Sequence, residues 1–194
     1  MEGTQTAEIE KLLESLGQLP EPEAKPSLII ISGLPGTGKS YFSARLAEKL
    51  PAKVLQSDSL RKTLFPKPTY NAAESAHLFK LIHLVIEKLL KKGISIILDA
   101  TNLSEHHRER LYSIAERLDS KLILVQVIAP PPVVYERLKA RMAGANPEDK
   151  SDADWKVYQR MKASAQRIRR NHFVVDTSQD ITPVIDKIVK EARR

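Results

Sequence analysis

The octapeptide Gly33-Leu34-Pro35-Gly36-Thr37-Gly38-Lys39-Ser40 constrains this chain more than any other feature. It follows a continuous apolar run at 28–31 and precedes a helix-compatible stretch at 41–50. Glycines at these spacings let the backbone turn so that successive amides point into one concavity. A helix starting where that turn ends adds its partial positive charge. The string therefore predicts a strand, an anion-cradling loop and a helix, the arrangement known as a P-loop. Nucleotide binding follows. The loop backbone, with Tyr41 at its exit, cradles the phosphates. Lys39 reaches the β- and γ-phosphates, and the Ser40 hydroxyl ligates Mg²⁺.

The rest of the chain repeats the same alternation. Runs at 28–31, 54–56, 94–98, 122–128 and 173–175 are rich in β-branched residues and nearly continuous in apolar character. Strands covered on both faces have that pattern. Between them, Leu78, Leu81, Ile82, Val85 and Leu89 recur at helical spacing up to Gly93. Leu111, Ile114, Ala115 and Leu118 do the same after Ser104, and Val184, Ile185, Ile188 and Val189 mark a last helix. Five strands alternating with helices predict an α/β domain with a parallel sheet and right-handed crossovers.

Residues 1–26 differ in character. Ile9, Leu12, Leu13 and Leu16 fall at i, i+3, i+4 and i+7, so 6–16 is expected to form a short amphipathic helix ended by Gly17. Pro20, Pro22 and Pro26 then favour an extended linker. The expected organisation is this leader, packed on the side of the protein or frayed, followed by one domain at 27–194.

The 194 residues include no cysteine, which excludes disulfide scaffolds, thiolate-bound zinc, iron–sulfur clusters and thiol catalysis. No apolar run approaches the roughly 18 residues of a membrane span, and the acidic start lacks a signal-peptide pattern. A cytoplasmic protein without membrane contact is expected. The net charge of +7 favours anionic partners, and it is unevenly spread. The leader carries −4, residues 27–194 carry +11, and 137–170 alone carry +6.

Further side chains fall where phosphate chemistry needs them. Asp99 ends the third apolar run, at the carboxyl edge where ligands of such sheets bind. It suits Mg²⁺ contact, directly or through water, the alternative being a helix cap. Asp58 follows the second run at the same edge, where an acceptor hydroxyl needs a base or an orienting acceptor. Its alternative is also a helix cap. Arg61 pairs with Asp58 or holds an acceptor phosphate. After Pro130-Pro131-Pro132, a helix at 133–142 places Arg137 and Arg141 on one face. A flexible-looking stretch at 143–154 and a basic amphipathic helix at 155–170 complete a helical lid, about 133–170. Two cations on such a flap neutralise charge on a transferring phosphate.

Together GLPGTGKS (33–40), LQSDSLRK (55–62), LDATN (98–102) and ERLKAR (136–141) resemble the small P-loop kinases related to polynucleotide 5′-hydroxyl kinases and zeta-toxin-like kinases. The resemblance runs from about residue 28 to the C-terminus. It implies the nucleotide-kinase-like form of the P-loop NTPase fold, with ATP as donor and Mg²⁺ as cofactor. It also implies Asp58 as general base, Arg61 as an acceptor-phosphate contact, and Lys39, Arg137 and Arg141 on the donor phosphates. Thr101 and Asn102 then belong to the acceptor side, as does the segment 66–71 leading to Glu74. Polynucleotide kinases often carry Arg where this chain has Ala100, a departure that bears on the acceptor.

Three activities remain open from the residues alone. A polynucleotide 5′-hydroxyl kinase accords with the basic surplus; a kinase of a small hydroxylated metabolite accords with Ala100 and the few aromatics. An ATP-binding switch or ATPase needs no acceptor. His77, His83, His106, His107 and His172 lack metal-like spacing and are expected to be structural or at the surface. Trp155, Tyr158 and Met161 share a helical spacing that predicts packing, and 177–179 is placed to touch an adenine.

Overall fold

The computed structural model of the chain describes residues 2–144 and 154–194. Five strands, β1 (Ser27–Ser32), β2 (Ala52–Gln56), β3 (Ser95–Asp99), β4 (Lys121–Ile128) and β5 (Phe173–Asp176), form one parallel sheet in the order β2-β3-β1-β4-β5. Each lies within two residues of the run that predicts it. β1 and β3 are buried along their whole length, as central strands covered on both faces must be.

The helices divide between the faces. α1 (Glu2–Ser15), α3 (Ser57–Leu64), α4 (Ala72–Lys91) and α5 (Glu105–Arg117) enclose the larger core with Leu28, Ile30, Ile96 and Leu98. α2 (Lys39–Ala47) and α8 (Thr182–Ala192) cover the other face, over Ile29, Ile31, Ile97, Val125 and Val127. The leader helix begins earlier than expected but ends as predicted before Gly17, which takes φ +63°. Ile9 and Leu12 bury against Leu60 of α3 and Leu78 and Leu81 of α4. The linker is tied to the turn between α4 and β3, where the Glu23 amide donates to the Gly93 carbonyl at 2.7 Å.

α6 (Pro131–Met142) begins two residues before the predicted position, because Pro131 and Pro132 occupy first-turn positions whose amides have no intrahelical partner. α7 (Trp155–Ser164) is shorter than the helix expected at 155–170. Ala165 is extended, the Gln166 amide donates to the Leu103 carbonyl at 2.9 Å, and Ile168 enters the larger core. Non-local bonds replace the last turns of the helix. Val134, Leu138 and Tyr158 join α6 to α7, with Trp155 stacked on Tyr158 at 4.7 Å between centroids. Most of the flexible-looking stretch, 145–153, lies outside the described residues. Among the described residues no helix is long and apolar enough to cross a membrane.

Candidate active site

β1 delivers the chain to Gly33, whose amide donates to the Thr101 carbonyl at 3.0 Å. A Cβ there would lie 2.5 Å from the Val127 carbonyl oxygen, so only glycine fits between β3 and β4. Gly36 and Gly38 adopt φ +77° and +88°, the left-handed region that turns the loop's amides inward. A Cβ on Gly36 would meet Val134 and Leu138 at 2.9 and 3.0 Å, which shows how closely α6 lies on the loop. The helix is therefore anchored on the phosphate cradle through buried apolar contacts.

That anchoring places Arg137. Its guanidinium donates to Thr177 Oγ1 and to the Thr177 carbonyl at 2.8 and 3.0 Å, with the Gly36 carbonyl at 3.4 Å. The Thr177 hydroxyl donates in turn to the Thr37 carbonyl at 2.6 Å. Thr177, the first of the three residues that the sequence places against an adenine, is thus buried beneath the P-loop. Lys39 Nζ donates to the Leu34 carbonyl at 3.0 Å across the loop, and Ser40 and Tyr41 stand exposed in the first turn of α2. Arg141 follows Arg137 by one turn.

Strand register sets the carboxylates beside this cradle. Asp99, the buried last residue of β3, is aligned with Ile31 of β1 and Gln56 of β2. Asp58 comes two residues after Gln56, in the first turn of α3, where the helix N-terminus favours a negative charge. Asp58, Asp99 and the P-loop therefore share one sheet edge.

Arg61 is buried in an ion pair with Glu74, donates to Ser75 Oγ at 3.2 Å and lies 4.8 Å from the centre of the Tyr70 ring. Glu74 also accepts from the Thr69 amide and hydroxyl at 2.7 and 2.8 Å and from the Tyr70 amide at 3.1 Å. Burial pushes its carboxyl up, but these bonds and Arg61 hold it at about 2. The cluster fixes 69–71 between α3 and α4.

Asn102 takes φ +46° and sits buried behind the edge. Its Nδ2 donates to the Ile31 carbonyl at 2.7 Å, and its carbonyl accepts from Ser32 Oγ at 3.1 Å. The Thr101 carbonyl accepts from the same hydroxyl at 3.2 Å, so the pair latches β3 to β1 beside the P-loop. Arg108, 1% exposed, extends the latch. It donates to the Asn102 carbonyl at 2.6 Å, to Glu105 at 2.8 and 2.5 Å, and to the carbonyls of Gln166 and Arg167 at 2.9 and 3.0 Å.

Arg108 is absent from the sequence-based set of site residues, and Glu74 enters it only as the end of the segment 66–71, with no role of its own. Arg108 does leave a signal, since it interrupts the inward stripe Arg108, Leu111, Tyr112, Ala115 with a charge. Asn71 and Glu74 carry the spacing of a helix-capping pair, and the Asn71 side chain accepts from the Glu74 amide at 2.8 Å.

The residues present suit a nucleotide with Mg²⁺. The loop has the left-handed glycines that a backbone cradle needs, and Ser40 and Asp99 offer hard oxygen donors beside it. Among the described residues no group of three or more acidic or imidazole side chains forms a closed metal site. Mg²⁺ held largely through phosphates and water requires none.

Fold and site define the class, a P-loop protein with the architecture of the small phosphotransferases. The chain belongs to the AAA domain family, whose model matches residues 28–168. It is 28% identical over 115 residues to the L-seryl-tRNA(Sec) kinase of Methanococcus maripaludis, a match spanning 57% of this chain and 44% of that relative. The fold is shared with the APS kinase CysC of Mycobacterium tuberculosis, solved with AMPPNP and APS, at TM-score 0.69 and 16% identity, covering 89% of this chain and all of that one. It is shared equally with Kti12 of Chaetomium thermophilum, solved with ADP-AlF3, at TM-score 0.68 and 19% identity, covering 85% and 98%.

Proposed function

We propose that this protein is an ATP-dependent kinase that moves the γ-phosphoryl group to an acceptor hydroxyl, the first candidate acceptor being the 5′-hydroxyl of a polynucleotide. One observation carries the proposal: Asp58 lies on the same sheet edge as the P-loop and Asp99. Hydrolysis alone has little need of a second carboxylate there. The acceptor oxygen attacks the γ-phosphorus, its proton passes to Asp58, and the bond to the β–γ bridging oxygen breaks to release ADP. Lys39, Arg137 and Arg141 stabilise the charge on the phosphates in transit. Mg²⁺, held by Ser40 and Asp99, supplies electrostatic neutralisation when bound. Arg61 serves through Glu74 by fixing the acceptor-side loop, and Thr101 and Asn102 border the acceptor.

The basic surplus of 137–170 supports a nucleic-acid acceptor. A second acceptor class, a small hydroxylated metabolite, is favoured by Ala100, which is 2% exposed and cannot reach a ligand. The relatives named as kinases support phosphoryl transfer, and the cysteine-free composition accords with a cytoplasmic location. Transfer of radiolabel from γ-labelled ATP to 5′-hydroxyl RNA, 5′-hydroxyl DNA and hydroxylated metabolites tests this. Oligonucleotide labelling that falls steeply with salt supports the first acceptor, labelling of metabolites alone supports the second, and ATP hydrolysis with no labelled acceptor overturns the kinase.

A further inference from the structure

A cavity of about 370 Å³ opens between α4, α5 and α7, outside the P-loop. Phe79 and His83 of α4, Thr101 and Ser104 after β3, and His107 and Leu111 of α5 line it. Thr101 ties it to the reaction edge, because the Thr101 carbonyl accepts the Gly33 amide. The cavity therefore reaches the residues 101–102 that follow β3, one backbone hydrogen bond away from the first glycine of the P-loop.

Its chemistry is uniform. Among the described lining residues none is Asp, Glu, Lys or Arg. A carboxylate or phosphate seated there would lose its water without a charged lining side chain to pair with. Phe79 and His107 form an aromatic wall, their rings 25° from parallel with centroids 6.3 Å apart. Neutral hydrogen-bonding groups complete the lining. The Thr101 and Ser104 hydroxyls and the His83 ring make no hydrogen bond among the described residues. Gln166 Oε1 accepts from the Glu105 amide at 2.6 Å, so the Ser104 hydroxyl does not serve as the cap of α5. Burial, then Arg110 and His107, push the His83 imidazole down to about 4, which keeps it neutral near pH 7. A neutral imidazole both donates and accepts.

We infer that this cavity binds an uncharged, flat, hydroxyl-bearing ring of nucleoside size and, resting on the kinase proposal, that it seats the acceptor's ring while the acceptor's hydroxyl faces the P-loop edge. The aromatic wall stacks the base, and the hydroxyls and His83 take its polar edge or sugar. A free nucleoside and the terminal unit of a 5′-hydroxyl polynucleotide share that chemistry.

Calorimetric titration of the full-length protein with uridine, adenosine, glucose and gluconate, with and without a non-hydrolysable ATP analogue, tests the site. Nucleosides are expected to bind and gluconate is not. Phe79→Ala and His83→Leu should each weaken nucleoside binding about tenfold, the scale of one lost base stack or hydrogen bond. ATP-analogue affinity should stay unchanged in both, which also shows that the variants are folded. A 5′-hydroxyl dinucleotide that binds more tightly than its nucleoside, and loses the same factor in the variants, identifies a polynucleotide end as the source. Equal binding of the two identifies a free nucleoside. If nucleosides bind at the cavity but never accept phosphate, the binding site stands and its assignment to the acceptor falls, while the kinase proposal is judged by the labelling of other acceptors. If neither nucleoside binds at millimolar concentration, or binding is indifferent to both variants, the inference is overturned even where phosphoryl transfer to another acceptor is found.

Discussion

The two halves of the reaction edge are built by different means. The donor half is an octapeptide of main-chain amides, shaped by Gly36 and Gly38 at positive φ and closed by α6. The proposed acceptor half is an assembly of side chains, with Asp58 and Arg61 from α3, Glu74 from α4 and Asn102 from the turn after β3. A backbone cradle tolerates substitution except at its glycines and at the few side chains, such as Lys39, that reach into it. A site made of side chains depends on every element that carries one.

The largest effect is expected from removing the buried guanidinium that holds the Asn102 side of this edge. Arg108→Ala strips a donor from the Asn102 carbonyl, which keeps only Ser32 Oγ, takes the Arg108 bonds from the carbonyls of Gln166 and Arg167, and leaves Glu105 without its guanidinium partner. Loss of one member of such a buried charged network costs about 3–5 kcal/mol, so both halves should fail together, read as a fall in stability on urea denaturation. Lys39→Met should lower the rate of phosphoryl transfer about 10³-fold at unchanged stability, because it removes one preorganised donor to the transferring phosphate. Asp58→Ala should lower transfer on the order of 10²-fold while ATP affinity holds, which separates the halves kinetically. Equal loss of ATP affinity in that variant would place Asp58 in the donor half.

The smallest effect is an acid dependence confined to the acceptor side. Glu74 is held at about 2, below its ordinary 4.5, so it binds fewer protons folded than unfolded. Its contribution is present above pH 4.5 and is lost as pH falls toward 2. Glu74→Gln should flatten that part of the stability profile, measured by urea denaturation across the range. A variant as acid-sensitive as the parent would remove Glu74 from the account.

What the sequence reveals follows the same division. The P-loop is legible because its geometry is local: glycine spacing, the preceding strand and the following helix lie within a short span. Asp58 and Asp99 are legible as carboxylates at strand ends, but their shared position depends on β3 lying between β1 and β2, and strand order leaves no mark on either segment. Asn102 shows the limit more sharply. Its motif is readable, yet its side chain is engaged by the Ile31 carbonyl, a partner that only the packed sheet supplies. Likewise, helical periodicity continues past Ser164, but the bonds that end α7 come from Leu103 and Arg108. Periodicity records which face is apolar, and it cannot record a competing hydrogen bond from elsewhere in the chain.

The Arg108 guanidinium reaches the segment after α7 only through the main-chain carbonyls of Gln166 and Arg167. Every amino acid carries that carbonyl, so this hold is blind to the side chains at 166 and 167. Arg167 is therefore open to exchange at this seam, whereas Gln166, through its own side chain, and Ile168, through the core, are tied to their identities.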